Sequence, residues 1–202
     1  MKYSSVCIGA VMFSLALLCG CSTKVSMSKQ GTDLLGKNIA VISTERTEYN
    51  RITDFYMIFV LGEHKLDMAP RLEESMINAD MFNIVDRSHI NKILEEKKLM
   101  ATDLADTGNV IEVGKLAGVD AIMTVQSAHW WWWLVPGAAN IMECSVRIID
   151  VNTGNVVGTA NSKYTLPTLI AGWWWMFDFP GDIADEITAE MKSKATVNED
   201  VH

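Results

Sequence analysis

Hydrophobic positions along the chain recur with two different periods, and these periods predict a mixture of strands and helices. Residues 39–42 are a continuous apolar run, which is typical of a strand buried on both faces of a sheet. Leu72, Met76 and Ala79 recur at helical spacing and predict an amphipathic helix. Residues 52–61 are apolar and aromatic, and their pattern does not distinguish a strand from a buried helix.

Residues 82–127 predict one packed α/β unit. Ser88 is the candidate N-cap of a first helix, and Thr107 or Asp106 is the candidate N-cap of a second. Gly118 favours the left-handed conformation that ends helices. The elements follow the order strand, helix, helix, strand, with the strands at residues 82–85 and 121–125.

The C-terminal part of the chain predicts an antiparallel meander followed by a helix. Residues 141–151 alternate between apolar and polar side chains, residues 152–154 favour a tight turn, and residues 155–164 return antiparallel. Asp182 is the candidate cap of a last helix, and residues 196–202 are predicted to be a disordered tail. The fold class is therefore α/β, a three-layer-like domain with a mixed sheet of about five strands, helices packed on it and a C-terminal meander plus helix.

Residues 1–20 have the features of an export signal. Lys2 supplies the positive end, residues 6–18 supply a short apolar run, and Leu18 to Cys21 match a lipobox. The apolar run is shorter than the about 20 residues that cross a bilayer. We therefore predict a lipoprotein signal peptide and acylation of Cys21 by fatty acids such as palmitate. A simple cleaved secretory signal is the alternative.

The residues after Cys21 predict a tether and then a single domain. Residues 21–36 are polar with few large side chains, so we expect a flexible lipidated tether there. Residues 37–195 form the predicted domain. If Cys7, Cys19 and Cys21 belong to export, Cys144 is the remaining thiol, and no intrachain disulfide supports the fold. The formal net charge of −8 opposes binding to nucleic acid.

All seven tryptophans lie in two runs. Strand directions predict that both runs lie at the same edge of the sheet. Consecutive side chains in a strand point to opposite faces, so a whole run does not face one core. The alternatives are a hydrophobic cluster under the loops, contact with lipid headgroups, and contact with protein or glycan. The candidate contacting residues are Trp130, Trp131, Trp132, Trp133, Trp173, Trp174 and Trp175.

Side chains that could carry chemistry are scattered. The four histidines lie far apart in the sequence, and one cysteine outside the export region does not make a metal-ligand cluster. No Gly-x-Ser-x-Gly motif is present. Asp86 beside Arg87 is typical of an ion pair at the start of a helix. We predict no catalytic residues, no metal, no cofactor and no enzymatic activity.

Three segments resemble the CsgG/HfaB family of outer-membrane lipoproteins, which includes the curli secretion channel. They are residues 82–97, 113–120 and 146–154, in the family's order and spacing, and the resemblance extends over roughly residues 38–162. It implies a periplasmic domain that serves secretion or assembly of a surface structure with envelope protein partners. It also allows a homo-oligomeric ring.

Two connections of this chain contain the tryptophan runs. In the curli channel, the corresponding connections are membrane-spanning hairpins. Here residues 128–140 and 165–180 are short for two strands of about 9–11 residues and a turn. We therefore expect a protein anchored by lipid to the outer membrane, facing the periplasm, whose tryptophan edge contacts the membrane without crossing it. The alternative is a regulatory lipoprotein of the LpoB kind, which binds and activates a peptidoglycan synthase.

Overall fold

A computed structural model describes residues 20–44, 67–130, 139–167 and 179–199. These residues contain strands and helices in alternation, followed by an antiparallel meander. The strands are β1 Gly20–Met27, β2 Asn38–Ser43, β3 Asn83–Ile84, β4 Ala121–Trp130, β5 Ala139–Asp150 and β6 Val156–Pro167. The helices are α1 Lys29–Thr32, α2 Ala69–Asn78, α3 Arg87–Lys97, a 3₁₀ helix Ala101–Ala105, α4 Thr107–Ala117 and α5 Phe179–Glu199.

The strands form one mixed sheet with the order β1-β6-β5-β4-β2-β3. β2 pairs in parallel with both β3 and β4, and the other neighbouring pairs are antiparallel. The predicted α/β class, the mixed sheet and the C-terminal meander plus helix are confirmed. Within the described residues the sheet has six strands, where about five were predicted.

Two hydrophobic cores lie on opposite faces of the sheet. Ile39 and Val41 face the core under α2 and α5, where Ile187 is fully buried. Ala40 and Ile42 face the second core under α3 and α4. The prediction that residues 39–42 are buried on both faces is confirmed, and this explains why the strand has no polar alternation.

The segment predicted as a flexible tether is folded, and this prediction was wrong. β1 pairs antiparallel with β6, and α1 follows directly. Val25 and Met27 pack against the first core, and Thr23 Oγ1 lies 2.9 Å from Ser162 Oγ. The contacts with β6 are made with residues more than 100 positions away in the sequence, so the local composition did not reveal them. The folded unit begins before the predicted boundary at residue 37.

The caps of the central helices agree with the sequence at two of three positions. α4 begins after Asp106, one of the two candidates, and Gly118 ends it with a φ of 67°. α3 begins after Asp86 and not after Ser88. The Asp86 carboxylate accepts a hydrogen bond from the Ser88 backbone N–H at 3.0 Å. The aspartate two positions earlier reaches the first free N–H groups of the helix, so Ser88 lies inside it.

α5 is longer than predicted at both ends. It begins at Phe179, so Asp182 lies in its first turn and does not cap it. It continues to Glu199, past the residue at which the disordered tail was expected to begin. Ile183, Met191 and Ala195 are buried along one side, which holds the helix on the sheet over most of its length. Within the described residues, no helix is long and apolar enough to cross a membrane.

Candidate membrane-contacting end of the sheet

Four strands meet at one end of the sheet, where β1 and β5 begin and β4 and β6 end. Backbone pairing places Cys21 opposite Tyr164, Tyr164 opposite Met142, and Met142 opposite His129. Three strand spacings, about 14 Å, therefore separate the backbones of Cys21 and His129. Trp130 follows His129 in β4. The candidate lipidation site and the start of the first tryptophan run share this end.

The second tryptophan run also follows from this end. β6 ends at Pro167, which lies opposite Ala139, the first residue of β5. These strand directions agree with the prediction that the chain leaves the sheet toward both runs at one edge. The residues of the runs beyond Trp130 lie outside the described residues, so their contacts stay a prediction. They are Trp131, Trp132, Trp133, Trp173, Trp174 and Trp175.

The sheet face away from α5 is bare and polar near this end. A cavity of about 480 Å³ lies along it, lined by side chains from all four antiparallel strands. Glu143 and Lys163 form an ion pair of 3.0 Å, and Ser145 Oγ donates to Asn161 Oδ1 at 2.8 Å. Lys24 extends the polar row onto β1. The sequence did not predict this surface, because the short polar side chains of β1 gave no strong strand signal.

The periodicity of β1 was the signal that could have revealed this surface. Thr23, Val25 and Met27 face the core side, whereas Lys24 and Ser26 are exposed. This is the alternation of a strand with one buried face, although short polar side chains weaken it.

A family model matches the middle of this fold. Residues 44–126 match the family described as "Curli production assembly/transport component CsgG". This part of the chain is CsgG-like. The match begins at Thr44, just after β2, and ends at Gln126 within β4, so it includes α3 and α4. The resemblance seen in the sequence is confirmed there.

Solved structures of other proteins share parts of this arrangement at low sequence identity. The PelC dodecamer from Paraburkholderia phytofirmans has 12% identity and a TM-score of 0.44, covering 87% of this chain and 97% of that chain. The LpoB C-terminal domain from Salmonella enterica has 14% identity and a TM-score of 0.39, covering 66% of this chain and 84% of that chain. Lipoprotein GNA1162 from Neisseria meningitidis has 10% identity and a TM-score of 0.42, covering 69% of this chain and 93% of that chain. No curated protein matches the chain.

Charged side chains in the CsgG-like region hold helices together. Arg87 Nε donates to Glu73 Oε1 at 3.2 Å, and its Nη1 donates to Asp67 Oδ2 at 3.0 Å, which ties α3 to α2. Burial raises the pKa of Glu73, and the charge of Arg87 opposes this effect. Asp86 does not pair with Arg87 as predicted. It caps α3, and hydrogen bonds from the Ser88 hydroxyl and backbone lower the pKa of its carboxyl.

Groups with potential reactivity are buried or isolated. Cys144 is 1% exposed in β5, and burial raises the pKa of its thiol to about 12. The population of the thiolate, which is the form that acts as a nucleophile or metal ligand, is therefore very low near neutral pH. His89 is exposed in the first turn of α3. Among the described residues, no group of three or more histidines, cysteines or carboxylates is arranged to hold a metal ion.

Proposed function

We propose that this protein is a lipid-anchored, non-enzymatic component of the bacterial outer membrane that serves secretion or assembly of a surface structure. Its tryptophan-rich end contacts the membrane. The CsgG-like region supports the envelope assignment, since the matching family is described as a curli assembly and transport component. The observation that carries the proposal is the shared end of the sheet, where Cys21 lies close to the strand ends that lead into both tryptophan runs.

The position of Cys21 within β1 makes the anchor short. Cys21 pairs with Tyr164, so an acylated Cys21 has no flexible spacer between its lipid and the sheet. Acyl chains attached there hold this end of the sheet at the bilayer surface. The tryptophans that follow Trp130 and Pro167 then lie within reach of the headgroup region.

Indole rings suit this location because the ring is apolar and the N–H donates a hydrogen bond. If three or four rings insert, at roughly 1.5–3 kcal/mol each, the gross gain is about 5–10 kcal/mol. Ordering of the connecting residues opposes part of this gain. The remainder is sufficient to orient a domain that a lipid already holds at the surface.

Intrinsic fluorescence offers a specific test, because all seven tryptophans belong to the two runs. The full-length lipidated chain is reconstituted into vesicles with and without lipids brominated near the headgroup. We expect bromine to quench the emission, since the indoles lie within contact distance of the upper acyl chains. Equal emission in the two kinds of vesicle would refute membrane contact.

Two matched variants separate the runs. Changing tryptophans 130–133 to serine leaves only residues 173–175 as tryptophan fluorophores, and changing 173–175 to serine leaves only the first run. We expect quenching in both variants if both runs meet lipid. Mass spectrometry of the membrane-extracted protein tests the anchor separately, and the expected product begins at an acylated Cys21.

Regulation of a peptidoglycan synthase fits this geometry less well. A module anchored in the outer membrane needs a long spacer to reach an inner-membrane synthase through the cell wall. The chain is already paired in β1 at Cys21, so the described residues contain no such spacer. Pull-down of peptidoglycan synthases with the full-length chain tests this alternative, and we expect no specific capture.

A further inference from the structure

The two faces of the sheet are covered unequally. α2 and α5 pack on one face, whereas α3 and α4 cover the other face over β2 and the adjacent ends of β4 and β5. Toward the Cys21 end, no helix of the described chain packs on this second face. We call this open part, across β4, β5, β6 and β1, the bare face. The cavity of about 480 Å³ lies on it.

Polar side chains line the cavity on the bare face. Strand register places four of them side by side across the sheet, namely Gln126, Ser145, Asn161 and Lys24. Glu143 and Lys163 lie in the next row toward the Cys21 end, and Arg147 lies in the next row away from it. The apolar side chain of Ile141 shares this face but lies outside the cavity, one row beyond Glu143. Cys144 also borders the cavity, but its side chain is buried in the core on the other face.

Hydrogen-bond donors are left free in this cavity. Ser145 Oγ donates to Asn161 Oδ1 at 2.8 Å, so the oxygen of this amide already has a partner. The two N–H groups of the same amide have none among the described residues. Lys24 is exposed and forms neither a side-chain hydrogen bond nor an ion pair within the described chain. A ligand that satisfies these donors must present oxygen acceptors.

The bare face is also cationic, although the whole chain has a net charge of −8. Lys163 is paired with Glu143 at 3.0 Å, so its charge is balanced. Lys24 and Arg147 are exposed, and neither is in an ion pair with another described residue. Register separates their backbones by two strand spacings and two residues, about 12 Å. A ligand that follows the sheet from one to the other meets two separate cationic positions.

The composition of the cavity favours a glycan over a polypeptide as the ligand. Protein interfaces usually bury an apolar or aromatic core, and no exposed side chain of that kind lines the cavity in the described part of the chain. An acidic glycan instead offers hydroxyl and carboxylate oxygens, which match the amide, hydroxyl and cationic groups of this surface. The volume of the cavity also lies within the range of about 300–1,000 Å³ that is typical of ligand sites.

We propose that the bare face binds an acidic polysaccharide. Lys24 and Arg147 pair with its carboxylates, and the amides of Asn161 and Gln126 form hydrogen bonds with its hydroxyl groups. For an envelope component, such a polymer is the material that is secreted or assembled, and this assignment rests on the proposed function. Binding of the polysaccharide to the isolated chain does not depend on membrane contact.

Fluorescence polarisation measures this binding directly. The probe is a labelled oligogalacturonate, a polymer of uronic acid, and the full-length lipidated chain in detergent is titrated into it. We expect saturable binding that weakens as salt increases. A labelled dextran of the same length has hydroxyl groups but no acid, and its affinity is expected to be at least about tenfold lower.

Substitutions test the cations and the amide of this face separately. Lys24→Gln and Arg147→Gln each remove one cation, and each is expected to weaken binding of oligogalacturonate about tenfold. Asn161→Asp keeps an oxygen for the Ser145 hydroxyl but replaces the free N–H groups with negative charge, so a similar loss is expected. Lys92→Gln, at an exposed position of α3, removes the same charge outside the bare face and is expected to leave binding unchanged.

Three results would overturn the assignment of a glycan. They are a parent chain that does not bind oligogalacturonate, equal affinity for dextran, and full affinity in both Lys24→Gln and Arg147→Gln. Far-UV circular dichroism of every variant confirms that the fold is intact.

Two further results would assign the bare face to another partner and reject the proposal. Equal competition by polyglutamate of the same length would indicate an acidic polypeptide. Association of two copies that excludes the probe, seen by sedimentation velocity, would indicate a second copy of the chain. Either result leaves lipid quenching and acylation of Cys21 unaffected, so failure here is distinct from failure of the proposed function.

Discussion

Single side chains with potential chemistry serve structural roles in this protein. Cys144 lies on the buried face of β5, Asp86 caps α3, and Arg87 joins α2 to α3 through Glu73 and Asp67. Each of these roles uses the charge, the hydrogen-bonding capacity or the apolar surface of the side chain. None of these three roles requires reactivity.

Cys144 is predicted to resist modification while the protein is folded. Burial raises the pKa of its thiol from 9.0 to about 12. Near pH 8 the thiolate of Cys144 is therefore about a thousandfold less populated than the thiolate of a thiol whose pKa is 9.0. We expect alkylation of the folded chain by iodoacetamide to be at least about a hundredfold slower than alkylation in denaturant, measured by mass spectrometry. Comparable rates in the two states would show that the thiol is accessible.

Asp86 is predicted to make stability depend on pH in the acidic range. Hydrogen bonds from Ser88 lower its pKa in the folded state, so its contribution is fully present above the unfolded value of about 4. The contribution is lost as pH falls through the lower folded-state pKa. Asp86→Asn keeps an acceptor oxygen but does not titrate. Its denaturation midpoint is therefore expected to vary less between about pH 2 and 5 than that of the parent, as measured by urea titration.

At the scale of elements, local signals predicted those helices and strands whose apolar pattern is strong. β2, α2, α4 and the β5–β6 hairpin follow from periodicity, capping residues and turn residues that act within a few positions. β1 and α1 were missed because their side chains are small and polar. Their stability comes from pairing with β6 and packing under α5.

Strand β1 is predicted to be protected from hydrogen exchange as part of the sheet. If residues 22–27 pair with β6 as described, their paired amides exchange through opening of the sheet edge and not at the rate of a coil. Hydrogen–deuterium exchange with mass spectrometry is expected to show slow uptake in this peptide. Deuterium uptake by residues 22–27 at the rate of an unstructured peptide would show that this segment is a flexible tether. It would also contradict the proposal that no spacer separates the lipid from the sheet.

The packing of α1 on β6 requires the backbone of Gly31 to lie close to the backbone of Val157. A Cβ there would lie 2.4 Å from Val157 O, a backbone atom that cannot move without disturbing β6. Gly31→Ala is therefore expected to lower the free energy of unfolding by about 1–3 kcal/mol, measured by urea denaturation. The neighbouring exposed Gln30 is the matched site, and Gln30→Ala is expected to have little effect. Equal stability of both variants would mean that α1 is not packed on β6.

At the scale of the whole molecule, one sheet separates two cores and also connects them. β2, β4 and β5 contribute side chains to both, so neither core can form without the strands of the other. The same sheet brings Cys21 and Trp130 to one end. The position of the candidate lipidation site beside the start of the first tryptophan run is therefore a consequence of sheet topology.

The shared sheet predicts a single unfolding transition. Ile122 and Ile187 are both fully buried, one in each core. Replacing either by alanine is expected to lower the free energy of unfolding by about 2–5 kcal/mol and to shift one cooperative transition. Urea denaturation followed by far-UV circular dichroism measures this. A biphasic curve in which only one phase responds to each substitution would contradict the coupling of the cores.

The sequence by itself determined the α/β class, most element positions, the candidate lipidation site at Cys21 and the grouping of the tryptophans, because periodicity, capping and motifs depend on neighbouring residues. Tertiary structure decided that β1 joins the sheet and that Cys21 lies opposite Tyr164. These features depend on strand register between segments far apart in the chain. The energy of such pairing is shared with the partner strand, so a local pattern does not contain it.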